Sequence, residues 1–316
     1  MQRIEMHIHR AVLRRRSYSR APTFLRSRIR GLSTGFRSDT IPDLPHIIVD
    51  ELDCAQHTDH VRNVNEQLER HGVLQISLHF QDDESQYLRN LVVSLHKQHG
   101  HGLPISHSAT KGWFWDVRPQ TTNFQTKGHQ ARSETMQEFP WHTDCSYEEC
   151  PPRLFALHVL QPDRCGGGTL STMKVDSLWE MLSQSSRDHL CRPQYKIRIP
   201  SEFIKRHDQH HIIGSLLAAG QKGDSARIRF REELLTPLNN AAEMALNELK
   251  EILQKLKTDS RHVLHLTPAE LPRNSILLMD NYRWLHSRNQ VRDPARHLRR
   301  VRWDASLFAI NPQSSG

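Results

Sequence analysis

Phe139-Pro-Trp-His-Thr-Asp144, running on through Cys-Ser-Tyr-Glu-Glu-Cys-Pro-Pro-Arg153 to Gly166-Gly-Gly-Thr169, is the stretch on which the reading of this chain turns. His142 and Asp144 are two apart, and residues two apart on a strand project to the same face. An imidazole and a carboxylate so placed can converge on one metal ion. A third ligand is offered far downstream, where Asp280-Asn-Tyr-Arg-Trp-Leu-His286 follows the apolar run Ser275-Ile-Leu-Leu-Met279. Two histidines and one carboxylate on one face of an ion, with other positions open, form the arrangement of non-haem Fe(II) oxygenases.

His-x-Asp alone is a weak signal, because His57-Thr58-Asp59 has the same form in a chain with 22 histidines. That second match falls where a helix is predicted to begin. Residues two apart on a helix diverge by about 200°, so it is set aside as a site. The cluster Arg206-His-Asp-Gln-His-His211 lacks ligand spacing matched by carboxylates and reads as a solvated loop.

At 316 residues and 36% hydrophobic content the chain can build a substantial core, and no stretch approaches the ~20 apolar residues of a membrane span. Its formal charge is +8, but ten of the 43 basic residues and one of the 35 acidic residues lie in 1–38. That segment carries +9, the remainder is nearly neutral, and a basic groove for nucleic acid loses its main support. Residues 1–38 are rich in Arg and Ser and poor in acids, with the arginines interspersed among Val, Leu, Phe and Ile. This composition fits a mitochondrial transit peptide, the alternative being a disordered basic tail on a cytoplasmic protein. Five cysteines without a Cys-x-x-Cys pair read as reduced thiols, and Cys145 as a small buried hydrophobe on the strand face opposite Asp144.

From Pro45 the composition turns globular. Ile47–Val49 and Val73–Leu78 read as strands around a helix that Thr58 or Asp59 caps and that runs through Glu69. A second amphipathic helix is predicted over 83–96, and a strand at Trp113–Val117. The polar, aperiodic stretch 119–137, placed just before the candidate ligands, reads as a lid. Strands are predicted at Arg153–Leu160 and Leu170–Met173, with Ser177 capping a short helix. Hairpins fill 190–235. Residues 239–257 form the clearest helix, with Leu246, Leu249, Ile252, Leu253 and Leu256 as its buried stripe. Strands at Ser275–Met279 and Leu298–Phe308 flank His286. The pattern is mainly β with flanking helices: an antiparallel double sheet of the jelly-roll type.

Iron alone does not make the reduction of O2 easy, and many such enzymes use 2-oxoglutarate as co-reductant. Its distal carboxylate suits a guanidinium, which stays charged and offers a fixed fork of donors. Arg296-His-Leu-Arg-Arg300-Val-Arg302 starts ten residues after His286, and on a strand Arg296, Leu298, Arg300 and Arg302 share one face.

From Trp141 through Thr172, and again from Asp280 through Trp303, the chain resembles the taurine dioxygenase/TfdA family of Fe(II)- and 2-oxoglutarate-dependent oxygenases. The matching pieces are Trp141-His-Thr-Asp144, Pro151-Pro152, Gly166-Gly-Gly-Thr169, Asp280-Asn281, His286 and the arginines after it. The resemblance implies a distorted double-stranded β-helix over about 45–311. It implies that His142, Asp144 and His286 bind iron, that Thr169 and Arg296 hold the distal carboxylate of 2-oxoglutarate, and that Arg300 meets an anionic group on the substrate. The reaction implied consumes O2 and 2-oxoglutarate, releases succinate and CO2, and oxidises a C–H bond of a small, anionic or amino-acid-like metabolite. Taurine itself is not implied, because the residues before Trp141 and in the lid depart from the taurine-binding pattern. Two rivals are a cupin-type metal enzyme that uses no 2-oxoglutarate, which leaves Thr169 and Arg296 without a task, and a non-catalytic binding protein on the same fold.

Overall fold

The computed structural model describes residues 44–106, 112–122, 124–126, 129–220, 225–257, 259 and 261–308. The Arg-rich segment 1–38, expected to be a targeting sequence, lies outside the described residues.

The first half of the chain gives β1 (His46–Val49), α1 (Thr58–His71), β2 (Val73–Leu78), α2 (Gln86–His99), β3 (Trp115–Val117), β4 (Phe139–His142), β5 (Pro152–Gln161) and β6 (Leu170–Lys174). Next come α3 (Val175–Met181), α4 (Gln184–Leu190), β7 (Tyr195–Arg198), β8 (His211–Gly214), β9 (Leu217–Ala218), β10 (Arg227–Ile228), β11 (Leu235–Pro237) and α5 (Asn240–Leu256). The chain closes with β12 (Val263–Leu266), β13 (Ser275–Asp280), β14 (Trp284–Arg288) and β15 (His297–Ala305). No helix among the described residues is long and apolar enough to cross a membrane.

Two sheets form the sandwich: six strands in the order β1-β2-β13-β5-β15-β3 and four in the order β12-β6-β14-β4. Every pairing within them is antiparallel except β1 with β2. This is the double-stranded β-helix that the family resemblance implies, and it agrees with the jelly-roll double sheet expected from the order of helices and short strands. Alternation along the strands sends Phe155, Leu157, Leu277, Met279 and Leu298 inward to meet Leu170, Leu266 and Trp284 of the smaller sheet. Their neighbours Leu154, Ala156, Ile276, Leu278 and Val301 face outward under α1 and α2, against Val64, Leu68, Leu88 and Leu91. Strands buried on both faces explain why β5 and β13 read as unbroken apolar runs. On the far side, Met173, Val263 and Leu285 pack against Leu246, Leu249, Leu253 and Leu256, the predicted stripe of α5. Each such leucine contributes about 2 kcal/mol by leaving water. Gly72 closes α1 in the left-handed region at φ 72°, donating to the Leu68 carbonyl at 2.8 Å. A Cβ there would lie 2.6 Å from Trp284 Nε1, so no other residue fits.

Local differences from the sequence reading have local causes. The second helix begins at Gln86, not Asp83, because the Asp82 carboxylate accepts the N–H groups of Gln86 and Tyr87 at 2.7 and 2.9 Å, with Ser85 in the left-handed region before them. Ser177 caps nothing. Helix α3 starts directly after β6 at Val175, and the nearby Asp176 carboxylate is turned to the Ala226 N–H and Ser225 hydroxyl. The sequence pattern gives no signal for helix α4, whose N-terminal end is fixed from afar by Glu248 of α5, which accepts from Ser183 and Ser186. The sequence reading also omits strand β12.

Candidate active site

The candidate metal site is assembled from three places in the two-sheet frame. His142 ends β4 and stands opposite His286 of β14 in the antiparallel register. Asp144 lies beyond the end of β4, in a turn whose next residue, Cys145, has φ 55°. Strand alternation therefore does not bring Asp144 to His142, as the spacing suggested. Asn281 does. Its Oδ1 accepts the Asp144 N–H at 2.7 Å, and its Nδ2 donates to the carbonyls of Asp144 (3.0 Å) and Pro152 (2.8 Å). Asp280, just before it, shapes the turn into β14 by accepting the N–H groups of Tyr282 and Arg283.

Both imidazoles stand 3.9 Å by Nε2 from Asp144 Oδ1, and one ligand atom from each of the three residues lies within 4.8 Å of the others. All three side chains are buried. His142 donates through Nδ1 to the Pro140 carbonyl at 2.8 Å, which leaves Nε2 as the free lone pair, and its ring stacks on Phe139 at 3.6 Å. The ring of His286 rests against Phe155, with centroids 4.8 Å apart. Burial, reinforced for His142 by the neighbouring His286, holds His142 well below its ordinary pKa, and burial lowers His286 to about 4. Both are thus neutral, the ligating form. Burial alone would raise the Asp144 carboxyl, but Arg300 and Arg302 outweigh it and keep Asp144 anionic. Arg300 Nη1 donates to Oδ1 at 3.1 Å, and Arg302 Nη1 stands 3.7 Å from Oδ2, an atom without a hydrogen-bond partner. Two neutral imidazoles and an anionic carboxylate with an orphaned oxygen fit a divalent ion in the 2-His-1-carboxylate pattern.

The other Asp/Cys/His group among the described residues, Asp53, Cys54 and His57, lies at the surface, and His57 pairs with Asp53 rather than with Asp59. Cys145 is buried as expected but does not point away from the site. The positive φ turns it into the cavity that Asp144 lines, where Arg302 Nη1 donates to its Sγ at 2.9 Å.

That cavity is bounded by His142 and Asp144, by Arg300 and Arg302, by the stacked pair Tyr147 and Phe203, and by Ala131–Ser133 of the predicted lid. The lid thus borders the site, while Trp115 is turned to Ser133 and Phe203. Arg296 is not part of the β15 face with Arg300. It precedes that strand, its N–H bonded to the Asp293 carbonyl at 3.0 Å, and a bulge separates His297 from Leu298. Its side chain is nonetheless interior, packed on Gly168, with Nη1 lacking any partner. Burial, then the charge of Arg288, lowers Arg296 to about 9. Thr169 follows Gly168 but lines a separate cleft with Ser171, Arg288 and Asn289. The structure therefore brings together His142, Asp144, His286 and Arg300, and packs Arg296 on Gly168, the residue before Thr169. Sequence reading passed over Asn281 as an orienting group and Arg288 altogether, although Arg288 shares the inward face of β14 two residues after His286.

Residues 40–302 match the family model described as "Taurine catabolism dioxygenase TauD, TfdA family". The chain belongs to this family and is an Fe(II)- and 2-oxoglutarate-dependent dioxygenase. No curated protein matches it in sequence. Solved structures share the fold at low identity. Asparagine oxygenase with Fe(II), 2S,3S-3-hydroxyasparagine and succinate is 15% identical, with a TM-score of 0.61 over 83% of this chain and 93% of its own. The non-haem iron oxygenase OrfP with Fe and alpha-ketoglutaric acid is 15% identical, with a TM-score of 0.60 over 84% and 95%. OrfP with Fe, succinate and (3S)-hydroxy-L-Arg is 16% identical, with a TM-score of 0.58 over 79% and 83%.

Proposed function

We propose that His142, Asp144 and His286 hold Fe(II), that Arg296 and Thr169 take the distal carboxylate of 2-oxoglutarate, and that the enzyme hydroxylates a C–H bond of a small, anionic, amino-acid-like metabolite. The observation that carries the reading is the buried cluster itself: two neutral imidazoles and a carboxylate held anionic, with the distal ligand strand leading to an interior guanidinium that has no partner.

Iron and 2-oxoglutarate, when bound, supply the oxidation of the substrate with release of succinate and CO2. The chain's own residues do the rest. Asn281 fixes the backbone of Asp144, the Pro140 carbonyl fixes the His142 tautomer, and Phe139 and Phe155 cover the imidazole rings and exclude water. Arg300 Nε and Arg302 Nη2 are buried donors without acceptors, on residues that line the cavity beside Asp144. Leaving such donors unpaired costs about 1–3 kcal/mol each, and an anionic group of the substrate would satisfy them. Asparagine oxygenase and OrfP were solved with hydroxylated amino acids, which favours a substrate carrying an α-carboxylate.

The test is anaerobic reconstitution of the full chain with Fe(II) and 2-oxoglutarate, following the visible charge-transfer band of the chelate. His142→Ala is expected to abolish the band and Arg296→Ala to require at least tenfold more 2-oxoglutarate. Succinate release is then screened against amino acids and their carboxamides, with expected turnover confined to free carboxylates and weakened in Arg300→Ala. No band in folded, iron-loaded protein refutes the site assignment, and equal turnover of carboxamides refutes the substrate class. We also infer mitochondrial targeting by residues 1–38 from their composition. A reporter fused after residue 38 that remains cytoplasmic would refute it.

A further inference from the structure

Arg288 is a buried guanidinium that the proposed reaction has not used. Strand β14 pairs regularly with β6, His286 opposite Thr172 and Arg288 opposite Leu170, so both side chains lie on one face of β14. Same-face neighbours on an antiparallel strand are about 6.8 Å apart. Arg288 therefore extends from the same face of the strand as the ligand candidate His286, one pleat further on. Arg288 is 6% exposed. Its Nη2 donates to the carbonyls of Thr135 and Gln137 at the end of the lid segment, its Nε has no partner, and no ion pair to it occurs among the described residues.

Arg296 lies against the same stretch of chain, lining a cavity with Gly168 and Leu170. It packs on Gly168, two residues before the Leu170 that pairs with Arg288. Its acidic neighbour among the described residues, Asp163, is already saturated. Asp163 accepts the N–H groups of Cys165 and Gly167 on Oδ1 and those of Arg292 and Asp293 on Oδ2. Two buried guanidiniums thus flank the segment Gly168–Leu170, each with one orphaned N–H, and among the described residues neither forms an ion pair with a carboxylate. Uncompensated buried charge of one sign is strongly unfavourable, and an anion is what relieves it. The lid carbonyls are neutral acceptors. They orient Arg288 without neutralising it.

We propose that Arg288 is a second guanidinium for the distal carboxylate of 2-oxoglutarate, donating through Nε and acting together with Arg296. The proposal rests on the 2-oxoglutarate site proposed above. It differs from a plain structural role, in which Arg288 only ties Thr135 and Gln137 to the ligand strand.

The experiment uses full-length protein with Fe(II) under anaerobic conditions, titrated by its visible band with two acids. One is 2-oxoglutarate. The other is 2-oxopentanoate, which has the same chain length and chelating end but a methyl group in place of the distal carboxylate. Arg288→Gln is expected to raise the half-saturating concentration of 2-oxoglutarate by 10- to 100-fold and to leave that of 2-oxopentanoate within twofold. Arg288→Lys, which keeps a charge but loses the fork, is expected to recover part of the preference, and it carries the test should Arg288→Gln fail to fold. A parallel readout without turnover is thermal stabilisation by each acid. Weakening of both acids alike, or of neither, overturns the proposal while leaving the 2-oxoglutarate site standing. Failure of the wild type to bind 2-oxoglutarate overturns both.

Discussion

Replacing Asn281 by alanine tests the idea that Asp144, the carboxylate proposed to hold iron, is placed by its backbone clamp. The side chain is buried and makes three hydrogen bonds, one accepted from the Asp144 N–H at 2.7 Å and two donated, to the carbonyls of Asp144 and Pro152. Truncation orphans all three groups. Each buried, unsatisfied polar group costs about 1–3 kcal/mol, and water entering the vacated space would satisfy some of them, so roughly 2–4 kcal/mol of stability is at stake. At about 2–4 °C per kcal/mol for a domain of this size, Tm is expected to fall by roughly 5–15 °C. Metal affinity should fall as well. Asp144 must hold a turn in which Cys145 sits at φ 55°, and without the clamp nothing else fixes that backbone at its N–H. Loss of an orienting group of this kind typically weakens a site by about 10- to 100-fold.

The assay is thermal unfolding followed by circular dichroism, with and without Mn(II) as a redox-inert substitute, together with metal affinity by chelator competition. Asn281→Asp serves as an isosteric control. It keeps the acceptor but points a carboxylate oxygen at two carbonyls, and it is expected to be no better than alanine. A fall in Tm below 2 °C would refute the hydrogen-bond accounting. A full fall in Tm with metal affinity unchanged would refute the claim that Asn281 positions Asp144.

Three further outcomes follow from other parts of the molecule. His158 is buried, bonded to Ser85 at 2.8 Å, and lowered to about 4 mainly by burial, with Asp82 opposing. Because its folded pKa lies below the unfolded value of 6.5, stability is intact above about pH 6.5 and declines as the pH falls towards 4, by about 3 kcal/mol in total. Urea unfolding should show this pH dependence reduced by that amount in His158→Gln, and equal slopes would exclude it. Gly168→Ala would put a Cβ 2.8 Å from Arg296 Nε at φ 69°, and at least a tenfold loss of 2-oxoglutarate affinity is expected. Gly166→Ala, also at positive φ (75°) but with open space around it, should lose about 1 kcal/mol of stability and no affinity, as titration and melting would show. Asn239→Ala removes the side chain that accepts from the Ala242 N–H at the start of α5, and denaturant melts should show a loss of about 1 kcal/mol with turnover unchanged.

What could be read from the sequence, and what could not, divides by the range of the cause. Strands β5 and β13 and helix α5 were legible because their periodicity reports burial directly: both faces for the strands, one stripe for the helix. The pairing of His142 with His286 was legible only because two local motifs could be weighed together, since nothing in either segment states that β4 and β14 are neighbours. The geometry of Asp144 was misread for a related reason. Two-residue spacing predicts a shared face only while the strand continues, and β4 stops at His142, where the Thr143 N–H turns to the Phe230 carbonyl. What brings the carboxylate back is Asn281, 137 positions away. Arg288 shows the opposite failure. Its position two residues after His286, on the same strand, was local information of the kind that had singled out Asp144, yet arginine beside a metal ligand reads as a repelled charge. Only the structure shows that its partners are carbonyls, that Arg296 stands nearby, and that both keep a donor free. On the proposal above, Arg288 is half of a site whose other half is the ligand. Asp144 and Arg300 are the same principle with both halves supplied by the chain.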